Sequence, residues 1–346
     1  MLRIAVIGAT GSVGRECLAL LDRALLPVDR AVPVASAGRD LGTELGLDLP
    51  MFPVTSLRKT DFDCVDVALL CAGAELSMRE AERIAATGVL VVDNSSAFRQ
   101  RADVPLVVPQ VNPQVLAERP ATNLIANPNC STIQLVRALQ PVHVLAGLQE
   151  VIVCTYQAAS GGGRRGLEEL ASWSSRRLAD PTAPAGPPGR FGQPLAFNLV
   201  PEIGLADGTG FTHEERKLTS EPRRILGLPS LRVSATAVRV PVFDCHSEAV
   251  HVRLRESVSA ADVEDALAAA PGLRVYRRGE RPDYPMPCMV AASDDERALV
   301  HVGRIRTDPA DDRALWMWVV ADNLWVGAAL NAIEIVALAV KFGWLG

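Results

Sequence analysis

What this chain lacks narrows its chemistry before any motif is read. Its seven cysteines, at 17, 64, 71, 130, 154, 245 and 288, contain no C-x-x-C pair, which excludes a zinc ribbon and argues against a disulfide framework. Free thiols fit a reducing cytoplasm. No basic excess exists either: 35 Lys and Arg stand against 40 Asp and Glu, so the electrostatic footprint of a nucleic-acid binder is missing. Anionic substrates would have to be held by local positive sites. No apolar run approaches the length that spans a bilayer, and a membrane role is not expected. Residues 1–7 run directly into a glycine-rich turn without a basic segment, apolar core and cleavage site, so no secretory leader is expected. The five His are scattered, no metal-ligand spacing is evident, and no segment repeats.

What is present is core material. Hydrophobic residues make up 49% of the 346, charged residues 22%, and the length suits two domains. The run from Leu2 to Ile7 reads as a strand, followed by Gly8-Ala9-Thr10-Gly11-Ser12-Val13-Gly14 and then by a helical pattern to about Leu25. Strand, glycine turn and helix form the context of a dinucleotide site, although G-x-x-G-x-x-G departs from the usual G-x-G-x-x-G spacing. Glycine there lets the backbone approach a pyrophosphate held at the helix N-terminus. A second strand, 31–35, ends at Ser36-Ala37-Gly38-Arg39. Arg39 could meet a ribose 2′-phosphate and Asp40 a 2′-hydroxyl, so the residues leave NADP and NAD both open.

Strand and helix continue to alternate through Val65–Leu70, Ala74–Ala86, Val89–Val92 and Leu106–Val108. That pattern predicts a parallel sheet wound on both faces, with ligands at the carboxyl ends of its strands. Arg99 follows the Val89 strand and falls near that edge. Next, an apolar run at 124–126 is closed by Asn127-Pro128-Asn129, and an apolar segment from Ile133 follows Cys130. The spacing places Cys130 at a helix N-terminus, where a thiol is biased toward the nucleophilic thiolate. From there the pattern changes. Leu148–Gln157 reads as a strand, Gly166–Leu178 as a helix, and 180–194 as a Pro- and Gly-rich excursion. Thr212 is a predicted helix N-cap with Glu215 at capping-box spacing. Alternating runs at Ser230–Pro241, Glu248–Arg255 and Ala314–Ala321 predict a mixed or antiparallel sheet with helices on one face, an α+β domain, and Gly327–Phe342 reads as a long apolar helix. A thiolate needs a proton-handling partner. Among the histidines His246 has the polar, loop-edge context for it, whereas His251 and His301 lie in apolar strand patterns and read as structural.

Taken together, the stretches GATGSVG (8–14), DNSSAFR (93–99), NPNCST (127–132), TYQAASGGG (155–163), EERK (214–217), VSATAVRVPV (233–242), HSE (246–248), GRIR (303–306) and WVVADN (318–323) resemble the bacterial aspartate-β-semialdehyde dehydrogenase family from end to end. The resemblance implies an α/β chain: a Rossmann-like NADP-binding domain at 1–129, completed by a C-terminal helix at 324–346, and an α+β catalytic and dimerisation domain at 130–323. It implies NADPH-dependent reductive dephosphorylation of aspartyl 4-phosphate to aspartate 4-semialdehyde, the branch point toward lysine, threonine, methionine and diaminopimelate. The assembly implied is a cytoplasmic homodimer or a dimer of dimers, with no metal.

By the same resemblance Cys130 matches the nucleophile, His246 the acid/base and Gln157 the substrate-orienting residue. Arg239 matches the α-carboxylate clamp, Glu214 the partner of the substrate ammonium, and Lys217, Arg99 and Asn129 the phosphate contacts. Cofactor contacts are implied for Gly8, Thr10, Gly11, Ser12, Val13, Gly14, Ser36, Ser160, Gly161 and Asn323. Many relatives carry an Arg before Ser-Ala-Gly; this chain is shorter there, and Arg39 is its substitute. N-acetylglutamyl-phosphate reductase and acyl-CoA reductases share the Cys/His logic, and a non-catalytic paralogue would share the fold. Arg239 and the EERK stretch favour a small amino-acid substrate.

Overall fold

The computed structural model describes the chain except residues 24, 37–40, 183–185, 187, 188 and 346, and at 42 and 43 the backbone alone. The chain divides into two compact units, Met1–Asn129 with Gly327–Gly346, and Cys130–Val326.

The first unit is built on a five-stranded sheet: β1 (Leu2–Ile7), β2 (Val28–Val34), β3 (Val67–Leu70), β4 (Leu90–Asp93) and β5 (Leu124–Ala126), in the order β2-β1-β3-β4-β5. Every pairing is parallel. β3 and β4 are buried along their whole length, the signature of strands covered on both faces, which explains why they read as unbroken apolar runs rather than alternating ones. Leu106–Val108, predicted as a strand, is not one. Leu106 makes only an isolated bridge to Ala126, because the flanking Pro105 and Pro109 have no N–H to donate to a ladder. The helix Leu330–Lys341 belongs to this unit and follows a π-helical turn at Trp325–Ala329. Its Asn331 Nδ2 donates to Val107 O at 3.0 Å and to Asn127 Oδ1 at 2.6 Å, while Asn127 Nδ2 donates to Asn94 Oδ1 at 2.8 Å and Ala328 O at 3.1 Å. Buried amides thus pin the turn that follows β5.

The second unit carries a six-stranded mixed sheet: β6 (Leu148–Gln157), β7 (Arg232–Arg239), β8 (His246–Leu254), β9 (Leu273–Val275), β10 (Val300–Asp308) and β11 (Asp311–Ala321), ordered β7-β6-β8-β11-β10-β9. β6 pairs in parallel with β7 and antiparallel with β8, and β8 pairs antiparallel with β11. The helix Cys130–Ala146 packs on this sheet against β6, β8, β10 and β11. Strand alternation then sorts the side chains: Val151, Val153, Thr155 and Gln157 of β6 are buried, whereas Ile152 and Tyr156 are exposed. The strand pairings bring Gln157 opposite Arg239 and Ala321 opposite His246. The finish of β6, β7 and β11 and the start of β8 therefore meet at one end of the sheet, and the chemistry collects there. Among the described residues no helix is long and apolar enough to cross a membrane.

Candidate active site

Cys130 is the first residue of its helix and is half-buried. His246, which the sequence placed at a loop edge, is the first residue of β8 and is completely buried. The residue before it, Cys245, is held at a left-handed φ of +70° by a bond from its N–H to Asn323 Oδ1 at 3.1 Å. Backbone strain of this kind persists only where surrounding contacts over-determine it, and here it aims the start of β8. The Ala158 N–H donates to His246 Nδ1 at 3.1 Å, and among the described residues Nε2 has no hydrogen-bond partner. A nitrogen that accepts an N–H bond carries no proton of its own, so the neutral ring has its proton on Nε2. Burial, aided by the nearby Arg239 charge, lowers the His246 pKa to about 3. The ring is accordingly neutral at physiological pH.

Gln157, Glu214 and Lys217 form a chain of contacts. Gln157 Nε2 donates to Thr155 Oγ1 at 3.3 Å and to Glu214 Oε1 at 3.1 Å, while Lys217 Nζ donates to Glu214 Oε2 at 2.9 Å. Glu214 is 6% exposed, which removes the pair from the class of ordinary surface ion pairs. The helix His213–Ile225 is fixed at its start by the predicted capping box between Thr212 and Glu215, and Glu215 Oε1 also accepts the Ala237 N–H of β7 at 3.1 Å. Arg239 ends β7 and is 7% exposed. Its Nη1 donates to Ala158 O at 2.7 Å; burial lowers its pKa, and the Cys130 and Glu214 charges oppose that shift. Gly161 lies against both groups: a Cβ there would stand 2.7 Å from Arg239 Nη1 and 3.3 Å from His246 Nε2. Ser160 and Asn323 bond to each other at 3.0 Å.

In the first unit, Gly8 has φ +89°, and a Cβ on it would lie 2.8 Å from the Cys71 carbonyl; one on Gly14 would lie 2.3 Å from Gly8 O. Only glycine permits this closeness. Among the described residues no side chain caps the helix Ser12–Asp22, whose first turn holds Ser12 and Val13 and carries no acidic residue, with Thr10 and Gly11 in the turn before it. A bare helix start behind crowded glycines fits a pyrophosphate. Ser36 lines a cavity of about 620 Å³ with Phe52, Thr55 and Lys59, while Arg39 lies outside the described residues. Arg99 is buried, and its Nε and Nη2 donate to Asn127 O and Asn94 O, both at 2.8 Å; Asn129 is buried as well. Sequence reasoning missed Phe191, whose ring lies beneath the Arg239 guanidinium, and the Ala158 backbone, which serves both Arg239 and His246. A Phe emerging from a Pro- and Gly-rich run was the available signal for the first; a main-chain donor leaves none. His251 bonds Asp308, and His301 bonds the Glu296 carbonyl. Among the described residues no cluster of His, Cys, Asp or Glu could hold a metal ion.

The fold and the two sites define an NAD(P)-binding semialdehyde dehydrogenase: residues 3–119 match the family model described as the semialdehyde dehydrogenase NAD binding domain, and residues 139–326 match its dimerisation domain. More narrowly, the chain belongs to the aspartate-semialdehyde dehydrogenase family. It is 42% identical to the Aquifex aeolicus aspartate-semialdehyde dehydrogenase over 99% of this chain and 98% of that one. Among solved structures it is similar to aspartate semialdehyde dehydrogenase II of Vibrio cholerae complexed with ASA, with a TM-score of 0.90, 38% identity and coverage of 99% and 98%. It is also similar to the Candida albicans aspartate semialdehyde dehydrogenase with NADP, with a TM-score of 0.75, 26% identity and coverage of 99% of each chain.

Proposed function

We propose that this protein carries out the NADPH-dependent reductive dephosphorylation of L-aspartyl 4-phosphate to L-aspartate 4-semialdehyde, as a cytoplasmic homodimer that can pair into a dimer of dimers. The observation that carries the reading is the gathering of His246, Gln157, Glu214, Lys217 and Arg239 at one sheet end, with the Arg239 charge felt by both Cys130 and His246. Cys130 sulfur attacks the acyl carbon; the carbon–oxygen bond to phosphate breaks, phosphate leaves with the electron pair, and a thioester remains. When bound, NADPH supplies the hydride that converts the thioester carbonyl into a tetrahedral oxyanion. His246 donates an Nε2–H hydrogen bond to the charge that develops on oxygen and then on sulfur as the carbon–sulfur bond breaks. A full proton passes through the ring only if Nδ1 releases the Ala158 N–H.

Arg239 suits the α-carboxylate, since a planar fork of donors matches a carboxylate plane. Glu214 suits the ammonium, and Lys217, Arg99 and Asn129 are assigned to phosphate. The buried Glu214 carboxylate argues against N-acetylglutamyl phosphate, whose acylated nitrogen brings no charge to pair with it. The proposed cofactor contacts are Gly8, Thr10, Gly11, Ser12, Val13, Gly14, Ser36, Arg39, Ser160, Gly161 and Asn323. The deciding experiment is phosphate-dependent oxidation of aspartate semialdehyde by the purified protein, with NADP and then NAD. Turnover of N-acetylglutamate semialdehyde in preference to aspartate semialdehyde would overturn the substrate, and better turnover with NAD would overturn the cofactor.

A further inference from the structure

The run at 180–194 looks like an idle excursion in the sequence, yet its described end is anchored at two points. The Arg190 N–H donates to Glu169 Oε2 at 2.6 Å, and Arg190 Nε donates to the Gly162 carbonyl at 3.0 Å. Between these anchors and the 159–163 turn lies the Phe191 ring. A Cβ on Gly162 or on Gly166 would come within 2.6 Å of that ring, so the absence of two side chains is what admits it. The ring packs against the buried cluster that holds Leu170, Leu195 and Val200, as Leu167 and Trp173 also do. The Arg239 guanidinium carbon lies 5.3 Å from the ring centroid, within cation–π range.

Arg239 needs such support. It is almost wholly removed from water, one guanidinium nitrogen is tied to Ala158 O, and the bare Gly161 lies against the same nitrogen. An aromatic face replaces part of the lost hydration without competing for the N–H groups, which hydrogen-bonding acceptors would occupy. We propose that Phe191 is a positioning residue: its ring is the platform that fixes the plane of the Arg239 guanidinium and so sets affinity for the substrate carboxylate. This rests on the assignment of Arg239 to that carboxylate.

The test is a double-mutant cycle on the full-length protein, with Phe191→Leu, Arg239→Lys and the pair. The constants read are KM for aspartate semialdehyde, for phosphate and for NADP. Phe191→Leu raises the semialdehyde constant about tenfold, a change in the cation–π range, and leaves the other two within about twofold. In the Arg239→Lys background the same change has less than about twofold effect, because the platform has lost the group it orients. Equal effects in the two backgrounds, equal rises in all three constants, or a lowered melting temperature with unchanged constants would reduce Phe191 to core packing and overturn the proposal. If Phe191→Leu does not fold, Phe191→Met decides by the same cycle. An unchanged semialdehyde constant in Arg239→Lys would instead overturn the carboxylate assignment itself.

Discussion

Two glycine turns, one in each unit, use the same missing side chain for opposite ends. At Gly8 and Gly14 the atoms that would meet a Cβ are backbone, the Cys71 carbonyl and Gly8 O. At Gly161 they are the ends of Arg239 and His246. Backbone cannot step aside cheaply, whereas a guanidinium or an imidazole can, at the cost of its aim. The first turn therefore has glycines because the backbone packing demands them, and the proposed pyrophosphate cradle would use the same bare surface. The second has one because two side chains must stand close together over a bare surface. On the proposed assignments, crowded glycine marks a binding backbone in one unit and a chemical centre in the other.

The largest effect separates the two regions outright. On the proposed mechanism Cys130→Ala removes the sulfur that forms the thioester, so turnover should fall by roughly 10⁴-fold or more, while NADP affinity, read by fluorescence titration, stays within about twofold. Cys130→Ser should be nearly as inactive, since a hydroxyl ionises far less readily than a thiol. Loss of NADP binding along with turnover would show that the two sites are not independent.

Gly14→Ala is the converse. Its Cβ would stand 2.3 Å from Gly8 O, and relieving that overlap against backbone should lower stability by about 1–3 kcal/mol. NADP binding should weaken by about tenfold or more, since the cradle and the helix start move together. The rate at which iodoacetamide alkylates Cys130 in the absence of cofactor should be unchanged. A variant that melts normally and binds NADP normally would mean that the turn has slack the distances deny.

Gly161→Ala has a smaller and differently placed effect. The added methyl displaces Arg239 Nη1 from 2.7 Å and presses on His246 Nε2, so kcat should fall by about tenfold to a hundredfold, the usual weight of an oriented donor. Stability should change by less than about 1 kcal/mol, because the displaced atoms are ends of side chains. A stability loss equal to that of Gly14→Ala would erase the distinction between the turns.

The two regions also differ in how openly the sequence displayed them. The first turn is contiguous: strand, three spaced glycines and helix can be read from the order of residues alone. The sheet end in the second unit draws on residues from Cys130 to Asn323, and only the register of β6, β7, β8 and β11 brings them together. The capping box at Thr212 and the strand 148–157 were legible because their signals are local. β10 was not, since Gly303 and the left-handed Arg304, φ +54°, break its alternation where the register with β11 slips. Leu106–Val108 misled for the opposite reason, an apolar run whose flanking prolines silence the ladder. The proton position on His246 was beyond reach, because the Ala158 main chain decides it.

The smallest expected effects are in pH, and they sharpen the contrast between His246 and Glu248, two residues apart on one buried face of β8. His246 has its pKa lowered to about 3 by burial, so the native ring stays neutral while an unfolded histidine takes up a proton below about pH 6.5. Between those values the unfolded state binds more protons, and stability must fall as pH drops through the window, by a few kcal/mol at most. Burial acts on Glu248 with the opposite consequence: its carboxyl is pushed well above the ordinary 4.5, with Gln134 of the Cys130 helix opposing the shift. The native group retains its proton while the unfolded one ionises, so this residue costs stability increasingly as pH rises above that value. Urea denaturation of the wild type, His246→Gln and Glu248→Gln from pH 4 to pH 8 separates the two. His246→Gln should flatten the acid limb. Glu248→Gln, neutral at every pH and similar in shape, should be more stable than wild type, by a margin that grows toward pH 8. If Glu248→Gln instead loses stability uniformly across the range, the carboxyl is ionised and compensated in the native protein, and a proton retained on buried Glu248 is wrong.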